Sequence, residues 1–144
     1  GPLPGHPIKS RISNPRSQMM IVGIGVDLVE VERITAAVAR HGPPFLKRIF
    51  TDREIEFCGV RNERLAARFA AKEAVAKAFG TGIGAAMAFT EIEVVNEESG
   101  RPGIVLHGAA AATAAARRVS AIHLSLSHTH SHAIAQVVIV GAEA

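Results

Sequence analysis

The chain has 144 residues, enough for one domain, and with 48% hydrophobic residues, six Phe and no Trp or Tyr its core has to be aliphatic and close-packed. Its formal charge of +3 matches Lys9, Arg11 and Arg16 in the first 19 residues, which leaves a neutral body without an aromatic stripe and argues against a nucleic-acid partner. A single cysteine, Cys58, excludes an internal disulfide and a thiolate zinc site, and no apolar run reaches the roughly 18 residues of a spanning helix, so a cytoplasmic protein with no membrane partner is expected.

Residues 1–19 are proline-bearing and open with Gly1-Pro2-Leu3, which reads as a tag remnant or disordered N-terminal extension; residues 20–144 form the expected domain. Ile21 to Val26 is a β-branched run whose Gly23 and Gly25 predict close approach of another backbone, with Asp27 at the strand end. Glu30 to Arg40 is helical in pattern, with Ile34, Ala37 and Val38 on one side and Arg33 and Arg40 on another, and Gly42-Pro43-Pro44 stops it. Thr51-Asp52-Arg53-Glu54 has capping-box spacing and predicts a short helix. The longest helix is expected from Asn62 as N-cap to Phe79, with Leu65, Ala66, Phe69, Ala70 and Ala74 as its apolar stripe and Gly80 as its end. Ile92 to Val95 and Ile104 to Leu106 read as a hairpin, Ala109 to Arg118 as a small-residue helix, and Ile122 to Leu126 with Ala133 to Val140 as a closing hairpin.

The charges in the long helix pose a question. Glu73 is four residues after Phe69 and four before Lys77, so it points with the apolar stripe, while Lys72 lies off that face. A carboxylate there is salt-bridged to Lys77 at i, i+4, exposed at the edge, or bound to a metal, because burying it unpaired costs several kcal/mol. Asp27 is either an Asx cap or a rigidly held group at a cleft mouth. If the two converge, they make an all-oxygen site suited to magnesium, and magnesium favours a phosphate-bearing substrate. The glycines of Gly80-Thr81-Gly82-Ile83-Gly84 terminate the helix or let backbone approach a phosphate or pantetheine chain. His128, His130 and His132 share one face of an extended segment, which admits a zinc site, solvent exposure, or one imidazole reaching a phosphate or metal-bound water. Arg33, Arg40, Lys47, Arg48 and Arg53 form either a solvated face or a docking patch for an acidic protein.

Three stretches in order, GIGVDLVEVERI, RFAAKEAVAKAFGTGIG and LSLSHTH, resemble the short, single-domain 4′-phosphopantetheinyl transferases known as holo-[acyl-carrier-protein] synthases, over about residues 20 to 140. The resemblance implies an α+β single domain with an antiparallel sheet and one long central helix, the 4′-phosphopantetheinyl transferase fold. It implies transfer of the phosphopantetheine of coenzyme A to a serine of apo acyl carrier protein, releasing adenosine 3′,5′-bisphosphate, with Mg2+, in fatty acid biosynthesis. By the same likeness Asp27 and Glu73 hold magnesium, Glu73 and Lys77 are catalytic, Lys77, His128, Arg68 and Gly80 contact coenzyme A, and Arg33, Arg40 and Arg48 contact the carrier. A homotrimer with active sites between subunits is implied, with Asp27 and His128 facing a neighbour's Glu73 helix, although no Trp or cluster of large aromatics marks an interface. The base for the carrier serine stays open among Glu73, a magnesium-bound water and a neighbouring residue. Gly42-Pro43-Pro44 departs from the more basic loop of relatives, and His130 and His132 have no family role. The rival readings are a zinc hydrolase built on the three histidines and a non-catalytic adaptor for an acidic partner.

Overall fold

The computed structural model describes residues 18–142, so the expected extension up to residue 17 lies outside the described residues. The elements run β1 (Met19–Glu30), α1 (Val31–His41), α2 (Pro43–Ile49), α3 (Asp52–Cys58), α4 (Asn62–Phe79), β2 (Ile92–Asn96), β3 (Pro102–Leu106), α5 (Gly108–Ala116), β4 (Val119–His128) and β5 (His132–Ala142). β1, β5 and β4 form an antiparallel sheet in that order, and β2 and β3 a separate antiparallel pair. This is the α+β single domain expected, with α4 as its centre.

The glycines of β1 decide how closely sheet and helix meet. A Cβ at Gly23 would lie 1.9 Å from the Ala78 carbonyl oxygen, and one at Gly25 would lie 2.1 Å from that of Ala74. Only bare backbone fits there, so the strand rests directly on α4. Because strand side chains alternate, Asp27 and Val29 share the helix-facing side with the two glycines. β1 also continues past Asp27 to Glu30, with Asp27 paired to Ala135, so Asp27 sits inside the strand and not at its end as expected. Leu28 and Val29 carry the β-favouring pattern onward, and β5 supplies partners for the whole length.

The first long-helix expectation is also corrected at its start. Arg61 is the N-cap and Asn62 the first helical residue, while Gly80 ends the helix in the left-handed region at φ 77°. Gly42 caps α1, but Pro43 and Pro44 open α2 instead of leading into a loop, since a proline in the first helical turn needs no N–H partner and has its φ preset. The Thr51 capping box is present in both directions.

A single apolar stripe does not describe α4. Leu65, Ala66, Ala67, Ala70, Ala71, Ala74 and Val75 are buried around most of the circumference, and so are Arg68 and Lys72. Lys72 lies off the Glu73 face as expected, yet it enters the core on the other side. Its ammonium donates to Glu54 Oε1 at 2.7 Å, to the Phe89 carbonyl at 3.0 Å and to the Ile92 carbonyl. Glu54 in turn accepts from the backbone N–H of Thr51 and of Val94. All three ammonium protons are used, and α3, α4 and β2 are joined at one point.

Glu93, the next inward group of β2, has a side chain 3% exposed and accepts from Thr51 Oγ1 at 2.7 Å and from two Arg53 nitrogens at 2.8 and 3.2 Å, with His107 Nε2 at 3.0 Å. Burial pushes its carboxyl up, but the hydrogen bonds from Arg53, Thr51 and His107 outweigh that and hold it at about 2. A carboxylate depressed on folding contributes stability above its unfolded value and loses it as pH falls through the folded one. The melting temperature is therefore expected to drop between about pH 4.5 and about pH 2, and Glu93→Gln to be less stable at pH 7 with a shallower fall over that window. An unchanged slope in the variant would remove Glu93 as the cause.

Candidate active site

Asp27 on β1 and Glu73 on α4 line one cavity of about 290 Å³, which Arg33, Ile34, Phe45 and Phe69 help to close. The strand register aims Asp27 at the helix, and the absent side chains of Gly23 and Gly25 bring that helix near enough for Glu73 to meet it. Burial, and next the charge of Asp27, push the Glu73 carboxyl up, while Lys77 pulls it down. Asp27 and Glu73 thus present two carboxylates to one space, an all-oxygen donor set.

Lys77 turns to the strand. Its Nζ lies 2.8 Å from Asp27 Oδ1 and 3.2 Å from the Val26 carbonyl oxygen, and the hydrogen bond it donates to Asp27 raises its pKa. No i, i+4 ion pair with Glu73 occurs among the described residues, so the simple helix-pair account of Glu73 is set aside.

Arg68 and His128 occupy different ground. They line a second cavity of about 360 Å³ together with Phe57, Arg64, Asn96 and Arg101. Arg68 is 5% exposed, donates to Asn96 Oδ1 at 2.8 Å and stacks over Phe57 with its guanidinium carbon 4.3 Å from the ring centre. Its Nε is buried without a hydrogen-bond partner. Burial lowers the pKa of this guanidinium. Within one chain, then, Asp27 and Glu73 line the same cavity, and His128 lines the other.

Gly80 is the left-handed residue closing α4, and its N–H bonds to the Lys77 carbonyl oxygen. Arg33 reaches the carboxylate cavity, while Arg40 and Arg48 are exposed near the ends of α1 and α2. Among the described residues no group of three or more His, Cys, Asp or Glu is placed to hold a metal, so His128, His130 and His132 do not converge as the zinc reading requires. His132 instead bonds through Nδ1 to Ser131 Oγ, in a turn that Thr129 ties together.

The sequence model of the 4′-phosphopantetheinyl transferase superfamily matches residues 23–137. The chain belongs to that superfamily. A holo-[acyl-carrier-protein] synthase of Koribacter versatilis is 46% identical over 123 residues, covering 83% of this chain and 98% of its own. Among solved structures, the holo-[acyl-carrier-protein] synthase of Neisseria meningitidis matches with a TM-score of 0.78 at 36% identity, covering 83% of this chain and 98% of that one. The Helicobacter pylori enzyme, solved in complex with coenzyme A, matches with a TM-score of 0.75 at 33% identity over 81% and 98%. No helix of the described residues is long and apolar enough to cross a membrane.

Three features escaped the sequence reading. The apolar wall of Ile34, Phe45 and Phe69 beside the carboxylates needs α1 and α2 folded over α4, which no local pattern encodes. Asn96 ends β2, and its hold on Arg68 spans 28 positions, beyond any local pattern. The third had a signal: Ile24, Val26 and Leu28 alternate with Gly23, Gly25 and Asp27, so β1 is apolar on the face away from the helix as well, and these three are 53 to 68% exposed.

Proposed function

We propose that this phosphopantetheinyl transferase moves the 4′-phosphopantetheine of coenzyme A onto a serine of apo acyl carrier protein, with Mg2+ at Asp27 and Glu73, releasing adenosine 3′,5′-bisphosphate, in the cytoplasmic synthesis of fatty acids. The observation that carries the reading is that Asp27 and Glu73 line one cavity while Lys77 bonds to Asp27, all three on the positions of the family motifs. A two-carboxylate set, one member held above the usual range by burial and by its partner's charge, fits a hard divalent cation that completes its shell with water and phosphate oxygens. When bound, magnesium would neutralise charge on the diphosphate as the leaving bisphosphate departs.

The chain's own groups supply the rest. Lys77 is long, half exposed and protonated, so it acts as a donor to the phosphate oxygens and not as the base. Arg68, with an unsatisfied Nε, and His128 with Arg64 and Arg101 make a cationic pocket that suits the nucleotide phosphates of coenzyme A. A Cβ at Gly80 would meet nothing within 4 Å, so the end of α4 is open to a pantetheine chain. Arg33, Arg40 and Arg48 form the edge that meets the acidic carrier, with steering that salt weakens.

The outer face of β1 supports a homotrimer. Ile24, Val26 and Leu28 with Ile134 make an apolar strip across β1 and β5 that water would otherwise cover. In such a trimer the Arg68 and His128 cavity of one subunit and the Asp27 and Glu73 cavity of the next are read as two parts of the site for one extended substrate. The reaction is tested by chromatography of the product. Coenzyme A, apo carrier protein and Mg2+ are expected to give adenosine 3′,5′-bisphosphate in step with carrier consumed, and a chelator to stop it. No bisphosphate from folded protein with several apo carriers would overturn the assignment.

A further inference from the structure

Asp27 already has a cation. The Lys77 ammonium rests on its Oδ1 at 2.8 Å and spends a second proton on the Val26 carbonyl oxygen, so the lysine is docked on β1 by two hydrogen bonds. Its side chain is 54% exposed, whereas that of Asp27 is 13% exposed. A flexible stem with its head in one of the carboxylate's acceptor positions is well placed to leave, and the carboxylate is not.

A divalent ion held by Asp27 and Glu73 draws on the charge of the same Asp27 carboxylate and repels the same ammonium. We propose that Lys77 is a resident counter-cation of Asp27 that competes with the divalent metal and is drawn off by the substrate's diphosphate, so that metal and coenzyme A bind with positive coupling. The inference rests on the metal reading of Asp27 and Glu73 given above and extends it. Before substrate arrives, Lys77 keeps the carboxylate pair partly neutralised and holds metal affinity down. When the diphosphate offers oxygens, the ammonium moves to them, and Asp27 is released for the metal. Because coupling is reciprocal, the metal tightens coenzyme A by the same factor that coenzyme A tightens the metal.

Mn2+ titration of the full-length protein without carrier, read by the electron paramagnetic resonance of the free ion with and without coenzyme A, tests this apart from turnover. Lys77→Gln is expected to bind Mn2+ alone about fivefold more tightly than wild type, the scale of a lost exposed ion pair. Its coupling to coenzyme A is expected to be smaller than in wild type. Equal or weaker Mn2+ binding by Lys77→Gln would overturn the inference. Asp27→Asn and Glu73→Gln separate the two levels: if both keep wild-type Mn2+ affinity, the metal reading falls and the competition with it, whereas if both lose Mn2+ while Lys77→Gln matches wild type, the competition alone falls. Thermal melts of each variant confirm that folded protein is compared.

Discussion

Glu73→Gln is expected to lose at least about a hundredfold in phosphopantetheine transfer, the scale of removing one electrostatic element from a polar reaction, while melting no lower than wild type. The two halves of this prediction have one cause. The Glu73 carboxyl is pushed up by burial and by Asp27, so the folded protein holds its charge at a cost that a neutral amide of the same shape removes. What the charge does for the protein must then lie in binding, not in folding. Parallel assays of turnover against Mg2+ concentration and of thermal unfolding check it. Wild-type turnover with unchanged magnesium dependence would contradict the ligand assignment, and a large loss of stability would make Glu73 a structural residue.

Lys72, its neighbour in the chain, has the opposite profile. Lys72→Met is expected to destabilise the fold by about 3–5 kcal/mol, because it leaves the Glu54 carboxylate buried without its ammonium and strips the Phe89 and Ile92 carbonyls of a donor. Against a total stability of about 5–15 kcal/mol this brings the protein close to unfolding. The double variant Glu54→Gln/Lys72→Met removes the stranded charge and is expected to recover part of the loss. Denaturant melts with an unchanged slope measure both, and a single-variant loss below about 1 kcal/mol would show that the pair contributes little.

Why one helix carries a folding lysine and a functional glutamate side by side was only half legible in the sequence. The β-branched run with Gly23 and Gly25 was visible, as was the i, i+4 spacing of Phe69, Glu73 and Lys77 that sets Glu73 on the apolar stripe, but the side of β1 on which Asp27 lies was not, because the strand continues past it. The Thr51 capping box and both hairpins were local signals and are present as read. What failed was everything set by the third dimension. An amphipathic stripe presumes one covered side, whereas α4 lies between the three-stranded sheet on one side and α3 with β2 on the other, so Lys72 had to find a partner 18 residues away. Pro43 reads as a stop in a one-dimensional pass, yet the same fixed φ that ends α1 begins α2. The separation of Arg68 and His128 from Asp27 depends on which face of the sheet each strand end reaches, and no spacing reports that.

The most direct test of the account is intact-mass analysis of a purified apo acyl carrier protein incubated with this protein, coenzyme A and Mg2+, beside a chelator control. The carrier is expected to gain the mass of one phosphopantetheine group at a single serine, and chelation to abolish the gain. A carrier that stays apo under a folded, Mg2+-binding protein, or a gain that survives complete removal of divalent metal, would contradict it.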